Sequence, residues 1–165
     1  MPGGDNMAEF TRYEIYTLLN LSKPLWLSYI DLSGMDLRGV DLKGATLFGA
    51  NLKGVLLHGA DLRNANLGGV NLEGAVLVGA DMRQAYLRGA NLHGCDLRET
   101  NLVEADLYEA NLSNTNLIDA NLAGADLTNA NLSNANMAGT NAPDYRIFRA
   151  KSLTGAILPD GTRHE

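Results

Sequence analysis

From residue 27 to residue 137, an apolar side chain recurs at every fifth position. It is Leu throughout, except at Met82 and Met137. Two positions before it the residue is usually small, as at Ala60, and the residue directly before it is usually Asp or Asn. The second residue after it is often glycine, as at Gly54. So regular a repeat is the strongest signal in the chain, and the fold must accommodate it.

Neither an α-helix nor a straight strand satisfies this rhythm. In a helix, five residues advance the side chain by about 140° net, so the leucines would form no apolar stripe. In a straight strand the period is two, so successive leucines would point to opposite faces. The pattern instead predicts that Ala and Leu point inward from a short extended piece. Gly, Asn and Asp then turn a corner, and the coils stack.

The repeated runs read Ala-(Asp/Asn)-Leu-x-x, as at residues 60–64, 90–94 and 120–124. This motif resembles the pentapeptide-repeat family, in the regular style of its cyanobacterial members. The resemblance implies an all-β fold, a right-handed quadrilateral parallel β-helix with four repeats in each coil. Residues 25–141 would form about six coils of about 4.8 Å each, a rod about 30 Å long.

Residues 20 positions apart would then lie in neighbouring coils. We expect one column of stacked amides, since side-chain amides at strand spacing can hydrogen-bond along a ladder. We expect a second column in which carboxylates alternate with cations. The amide column is Asn51, Asn71, Asn91, Asn111 and Asn131; the charged column is Asp41, Asp61 and Asp81 beside Lys43, Arg63 and Arg83.

Two segments outside the repeat are expected to close the ends of the rod. Residues 1–24 form the N-terminal tail and a short α-helical cap, with residues 8–20 helical and Phe10, Tyr13 and Leu18 or Leu19 on one face. The first inward positions are unusually large and would pack under this cap. They are Leu25, Ile30, Met35 and Val40.

The C-terminal segment, residues 142–165, is expected to be an irregular cap and tail. The five-residue frame breaks near Pro143 and returns shifted by one residue at Leu153, Ala156 and Leu158. Three bulky side chains would seal the last coil: Tyr145, Ile147 and Phe148. The alternative is a homodimer through that coil, as the resemblance implies for some family members. The turn at residues 158–162 would lead into a disordered tail.

No arrangement of residues indicates catalysis, a metal site or a cofactor. His58, His93 and His164 show no ligand spacing, and the single cysteine, Cys95, lies at an inward position where a buried side chain is expected. The Asp before each Leu belongs to the repeat, which makes it a poor catalytic candidate. A convex rod with a filled interior also offers no deep pocket, so an enzyme is not expected.

Charge and hydropathy exclude further classes of function. The net charge is −6 and the pI about 5.0, which argues against binding to nucleic acid or to an anionic membrane surface. No apolar stretch is long enough to span a bilayer. The first residues lack the pattern of a secretory signal, and one cysteine cannot form an internal disulfide. We therefore expect a cytoplasmic protein.

The charges are unevenly distributed along the chain. Residues 23–98 carry eight basic and seven acidic side chains, whereas residues 99–144 carry seven acidic side chains and no basic one. Glu99, Glu104 and Glu109 stand on successive corners of one coil. They are either a docking surface for a basic partner or a means of keeping the protein dispersed.

Two groups of outward side chains are candidate contacts with a partner. Leu56, Val76 and Val78 should share one face of the rod, with Ile118 two coils further along. A second face should carry Phe48, Tyr86, Arg88 and Tyr108, and aromatic and arginine side chains are enriched at protein interfaces. Isolated surface hydrophobes are also common, so the first group has an ordinary structural interpretation as well.

The sequence thus favours a non-catalytic interaction, scaffold or regulatory solenoid that offers its flat outer faces to an unidentified protein partner. The alternative is a DNA mimic, as known in the family that the repeat resembles, which would bind a topoisomerase such as gyrase through its acidic C-terminal coils. The nearly neutral N-terminal half, the Leu-dominated core and the short rod depart from that pattern. Direct binding to DNA is not expected.

Overall fold

The backbone closes one coil every twenty residues. The computed structural model describes residues 23–165 together with Thr17, Leu19 and Asn20. Within this part, parallel bridges join residue n to residue n + 20, from Trp26–Thr46 to Asn116–Asn136. Each side of a coil contributes a single bridged residue rather than an extended strand. The predicted right-handed quadrilateral β-helix is confirmed.

The four flat sides of the rod are named here by their bridged residues. Wall 1 carries Trp26, Thr46, Asn66, Tyr86, Asp106 and Asp126; wall 2 runs from Asp31 through Asn51 to Asn131 and Ser152. Wall 3 runs from Asp36 through Leu56 and Val76 to Asn136 and Ile157, and wall 4 from Asp41 through Asp61 and Asp81 to Asn121. The outward residue that follows each inward leucine belongs to the same wall.

The bore of the rod is filled by the repeat leucines and the small residues two positions before them. Leu62, Leu87 and Ala105 are 0–1% exposed, and Met82 and Met137 are buried in the same column. Each buried Leu contributes roughly 1.5–3 kcal/mol, while ordering each residue's backbone costs about 1–2 kcal/mol. The remaining stabilisation comes from the ladder between coils, such as Leu92 N to Asn111 O at 2.8 Å.

The corners of the coils require left-handed backbone. Gly54 has φ of 64°, and the same conformation recurs at nearly every fifth residue. Glu99, Glu104 and Glu109 adopt it as well, with φ of 57°, 58° and 58°. A left-handed residue with a Cβ costs roughly 1–2 kcal/mol, which explains why glycine and asparagine dominate the other corners.

At the N-terminal end, the large inward side chains pack against the core as expected. Leu25 is 4% exposed, and Ile30, Met35 and Val40 are partly buried against the core cluster. Most of the predicted cap helix, including Phe10 and Tyr13, lies outside the described residues. Thr17 and Leu19 are helical, and Leu19 is buried against the core.

At the C-terminal end, the predicted one-residue shift is confirmed by bridges from Asn131 to Ser152 and from Asn136 to Ile157. The extra residue is accommodated around a single helical turn, α1 (Asp144–Ile147). Ile147 is 1% exposed and seals the coil, as expected. For Tyr145 and Phe148 the sealing interpretation is wrong, because they are 65% and 57% exposed. One helical turn directs only one of its apolar side chains at the bore.

The expectation of a disordered tail is also wrong. After the turn, Arg163 forms an antiparallel bridge with Ile157, and Gly155 N donates to His164 O at 2.8 Å. His164 N donates back to Ala156 O at 2.8 Å. The physical reason is the open edge of the last coil, whose unpaired backbone groups favour an added strand.

Candidate interaction surface

The single cysteine of the chain is buried in the bore of the rod. Cys95 is 1% exposed and its thiol donates to Leu72 O at 2.9 Å. Burial raises the pKa of this thiol to about 12, so at neutral pH it is protonated and a poor nucleophile. The predicted buried role for Cys95 is thus confirmed.

The histidines and carboxylates form no metal site within the part of the chain that the structure describes. His93 Nδ1 lies 2.9 Å from Ser113 Oγ, and His164 packs near the ring of Phe148. Within the same residues there is no helix of the length and hydropathy needed to cross a bilayer. The accessible side chains of residues 23–165 are those of the four walls and the corners between them.

Wall 4 carries the expected ion pairs at Asp61 and Asp81, whereas Asp41 pairs with Lys23 instead of Lys43. Arg63 binds Asp61 through Nε and Nη2 at 2.9 and 2.6 Å, and its Nε also lies 3.7 Å from Asp81 in the next coil. Arg83 binds Asp81 in the same bidentate way. The hydrogen bonds from Arg63 and Arg83 hold the pKa values of Asp61 and Asp81 below the usual range. These charges satisfy one another, which leaves wall 4 a solvated surface.

Wall 2 carries the expected amide ladder. Asn71 Nδ2 donates to Asn51 Oδ1 at 3.3 Å, Asn91 to Asn71 at 3.1 Å, and Asn111 to Asn91 at 3.1 Å. Each Oδ1 also accepts the backbone N–H two residues later, as from His93 N to Asn91. Because the amides already bind one another, this wall stabilises the stack and has few free groups for a partner.

Wall 3 holds the first candidate group, but little of its apolar surface is accessible. Leu56 and Val76 are bridged neighbours and half-buried, Val78 is buried, and Ile118 is half-buried further along the wall. Asp96, which binds Arg98 at 2.7 Å, lies between Val76 and Val78 on one side and Ile118 on the other. Because the group is largely buried and is interrupted by this ion pair, it is a weak candidate.

Wall 1 brings the second candidate group together, and its rings are accessible. Phe48 is 44% and Tyr86 is 56% exposed. Arg88 lies above the ring of Tyr108, with its guanidinium carbon 4.6 Å from the ring centroid, and its Nε donates to Asp106 at 2.6 Å. The arginine is thereby held flat against the wall in a geometry suited to stacking.

Two further aromatic side chains of wall 1 were missed from the sequence. Trp26 is 78% and Tyr29 is 66% exposed, and the ring of Tyr29 meets that of Phe48 edge to face at 5.8 Å. The signal was available, because Trp26 occupies the position before a repeat leucine, which is outward.

The three glutamates are exposed but do not form one surface. Glu99, Glu104 and Glu109 occupy successive corners and therefore three different edges of the rod. Gln84 Nε2 donates to Glu104 Oε2 at 2.8 Å, and the bases that follow residue 144 add positive charge beyond the acidic coils. A partner lying on a flat wall would contact at most two of the three.

The comparisons with known proteins identify the family to which the repeat belongs. A family model described as pentapeptide repeats, in eight copies, matches residues 27–64, 65–103 and 105–141. A search of the curated proteins finds no match. Among solved structures, the chain is 30% identical to HetL, a pentapeptide repeat protein involved in heterocyst differentiation regulation in the cyanobacterium Nostoc sp. strain PCC 7120. That match covers 84% of this chain and 76% of HetL, with a TM-score of 0.36.

Two other solved structures are similar to the chain over most of its length. The chain is 33% identical to AT2G44920, a pentapeptide repeat protein of the Arabidopsis thaliana thylakoid lumen, over 79% of this chain and 85% of that one, with a TM-score of 0.25. It is 24% identical to QnrB1, a plasmid-mediated fluoroquinolone resistance protein, over 79% and 76% of the two chains, with a TM-score of 0.42. On the repeat, the coil and the family model together, the chain belongs to the pentapeptide repeat family.

Proposed function

We propose that this protein is a non-catalytic interaction module that binds another protein along wall 1. The observation that carries the proposal is the exposure of Trp26, Tyr29, Phe48 and Tyr86 on one side of the rod. Buried aromatic anchors supply much of the binding energy at protein interfaces, and Arg88 adds a side chain of the same kind. The filled bore supports a role without catalysis.

The stiffness of the wall also favours binding. Its backbone is fixed by ladder bonds such as Leu67 N to Tyr86 O at 2.8 Å, so the rings are carried on a surface that is ordered before a partner arrives. Association then loses little conformational entropy in the wall itself. Aromatic side chains with two rotatable bonds add little to that cost.

A crosslinking experiment tests the proposal. A photoreactive phenylalanine analogue in place of Tyr86 should capture a protein from a native lysate, and Phe48→Ala in the same chain should abolish the captured band. The matched control places the analogue at Tyr145, which is 65% exposed but lies outside wall 1. Equal capture at both positions, or capture insensitive to Phe48→Ala, would rule out wall 1 as the binding surface.

The second candidate is binding to gyrase through the acidic coils, and the run of acidic residues from Glu99 to Asp126 favours it. Against it stand the separation of the glutamates onto different edges and the pairing of Asp106 with Arg88. A DNA supercoiling assay with gyrase separates the two functions. Inhibition or protection at micromolar protein that is lost in a Glu99→Gln, Glu104→Gln, Glu109→Gln variant would favour the DNA mimic over wall 1.

A further inference from the structure

The N-terminal three layers of wall 1 carry no charged side chain. They contain Trp26, Ser28 and Tyr29, then Thr46, Phe48 and Gly49, then Asn66, Gly68 and Gly69; the first charge on the wall is Arg88. Wall 2 carries Asp31, Lys53 and Glu73 over the same layers, and wall 4 carries an Asp in each. These three layers, with Tyr86 at their C-terminal border, are called the neutral patch below.

Two rings of the neutral patch, those of Tyr29 and Phe48, rest on glycines of the following coil. A Cβ at Gly49 would lie 2.7 Å from Tyr29 Cε1, and a Cβ at Gly68 would lie 3.0 Å from Phe48 Cδ2. The glycines thus leave room for each ring to lie against the backbone of the next layer. The rings are supported from below and accessible from above, which is the arrangement of a stacking platform.

One donor of the patch, Asn66 Nδ2, has no hydrogen-bond partner among the described residues. Asn66 Oδ1 accepts from Gly68 N at 3.2 Å, but nothing in the described chain accepts from Asn66 Nδ2. On wall 2 the corresponding Nδ2 of Asn71 and of Asn91 donates to the asparagine of the preceding coil. The residue bridged to Asn66 in the preceding coil is Thr46 rather than an asparagine. A half-buried donor between exposed rings therefore faces outward with capacity for an acceptor.

We propose that the neutral patch binds an uncharged, proline-containing polypeptide segment in the polyproline II conformation. The inference rests on the proposed function and names the partner chemistry of the same wall. A charged segment would be desolvated here without finding a counter-charge, whereas an uncharged segment avoids that cost.

The polyproline II backbone matches the two other features of the patch. It makes no internal hydrogen bonds, so its carbonyls are free to accept from Asn66 Nδ2. Its proline rings pack on aromatic side chains, as in other aromatic-lined sites for such segments. Three coil steps separate Trp26 from Tyr86, about 14 Å, which is the length of roughly five residues at 3.1 Å each.

Trp26 provides the readout, because it is the only tryptophan of the chain. Titration with decaproline should shift or quench its fluorescence in a saturable way. A (Gly-Ser)5 peptide of equal length, neutral but flexible, should bind at least tenfold more weakly, since it pays the ordering cost on binding. Phe48→Ala and Asn66→Asp should each weaken decaproline binding about tenfold, the usual effect of removing one interface anchor.

Tyr145→Ala is the matched control and should bind decaproline as the wild type does. No saturable response to decaproline, or an equal loss in the Tyr145→Ala variant, overturns the inference. Equal binding of the neutral oligosaccharide cellohexaose would overturn it in favour of a glycan. If decaproline fails while crosslinking at Tyr86 still captures a Phe48-dependent protein, the proposed function stands and only the partner chemistry is wrong.

Discussion

The ring of Phe48 occupies the space that a side chain at Gly68 would need. A Cβ at Gly68 would lie 3.0 Å from Phe48 Cδ2 and 3.3 Å from Cε2. The same relation recurs elsewhere on the rod, where Asp119 covers Gly139 and Asn134 covers Gly155. An outward side chain that lies over the next coil is thus accommodated by a glycine at the position it covers.

This relation predicts a measurable coupling. Gly68→Val should destabilise the wild type, because Phe48 must leave its position, and should cost about 1 kcal/mol less in the Phe48→Ala background. Urea denaturation of the four proteins of this cycle measures the coupling. Equal costs in both backgrounds would show that the ring moves away freely.

The amide ladder of wall 2 predicts a position-dependent cost. Asn91→Ala removes the bonds of Asn91 to Asn71, Asn111 and His93 N, and should reduce the free energy of unfolding by about 1–2 kcal/mol. Asn51→Ala, near the end of the ladder, removes the bonds from Lys53 N and Asn71 and a contact with the exposed carboxylate of Asp31. It should cost less, since that carboxylate can bind water instead. A larger loss for Asn51→Ala in chemical denaturation would contradict a ladder that stabilises through its interior.

The pKa of Cys95, raised to about 12, predicts an unreactive thiol. A thiol-specific chromogenic reagent should leave the native protein unmodified at neutral pH and react fully in denaturant. Cys95→Ala should cost little, since alanine is the usual residue at this inward position. Rapid modification of the native protein would mean that the coil opens locally around residue 95.

Acid should weaken wall 4. The pKa values of Asp61 and Asp81 are lower in the folded chain than in the unfolded chain, so their contribution to stability is present at neutral pH. It is lost as the pH falls from about 4 through the folded-state values. The double variant Asp61→Asn, Asp81→Asn should therefore be less stable than the wild type near pH 7, and this difference should shrink as the pH falls below about 4. A constant difference in thermal melting across this range would assign the effect to something other than charge.

The pairing of the C-terminal tail with the last coil leads to a prediction about the oligomeric state. Because Arg163 and His164 pair with the last coil at residues 155–157, we expect them to block a homodimer joined through that edge. Deleting residues 161–165 should expose the edge and produce concentration-dependent association in light scattering. His164→Ala is the control, since the bonds of His164 to the last coil are made by its backbone. An intact chain that already dimerises would have to use another surface, such as the exposed rings of Tyr145 and Phe148.

The core of the rod was predictable residue by residue, whereas its ends and its accessible surface were not. A repeat leucine such as Leu72 can only point inward, because the five-residue rhythm leaves it no other direction. Outward positions carry no such constraint: Leu56 and Trp26 occupy equivalent places, yet neighbours half-bury the first and leave the second 78% exposed. Which of Ile147 and Phe148 is buried depends on one turn of helix, and the repeat does not specify that turn.

The twenty-residue register has a consequence for how such a chain can change in length. Gaining or losing one complete coil lengthens or shortens the rod and leaves every wall continuous. Gaining a single pentapeptide instead turns everything downstream by a quarter revolution, so that Tyr86 and Arg88 would no longer lie in line with Trp26 and Phe48. A binding surface that spans several layers therefore restricts evolutionary insertions between those layers to multiples of a whole coil, even though the core would accept any number of repeats.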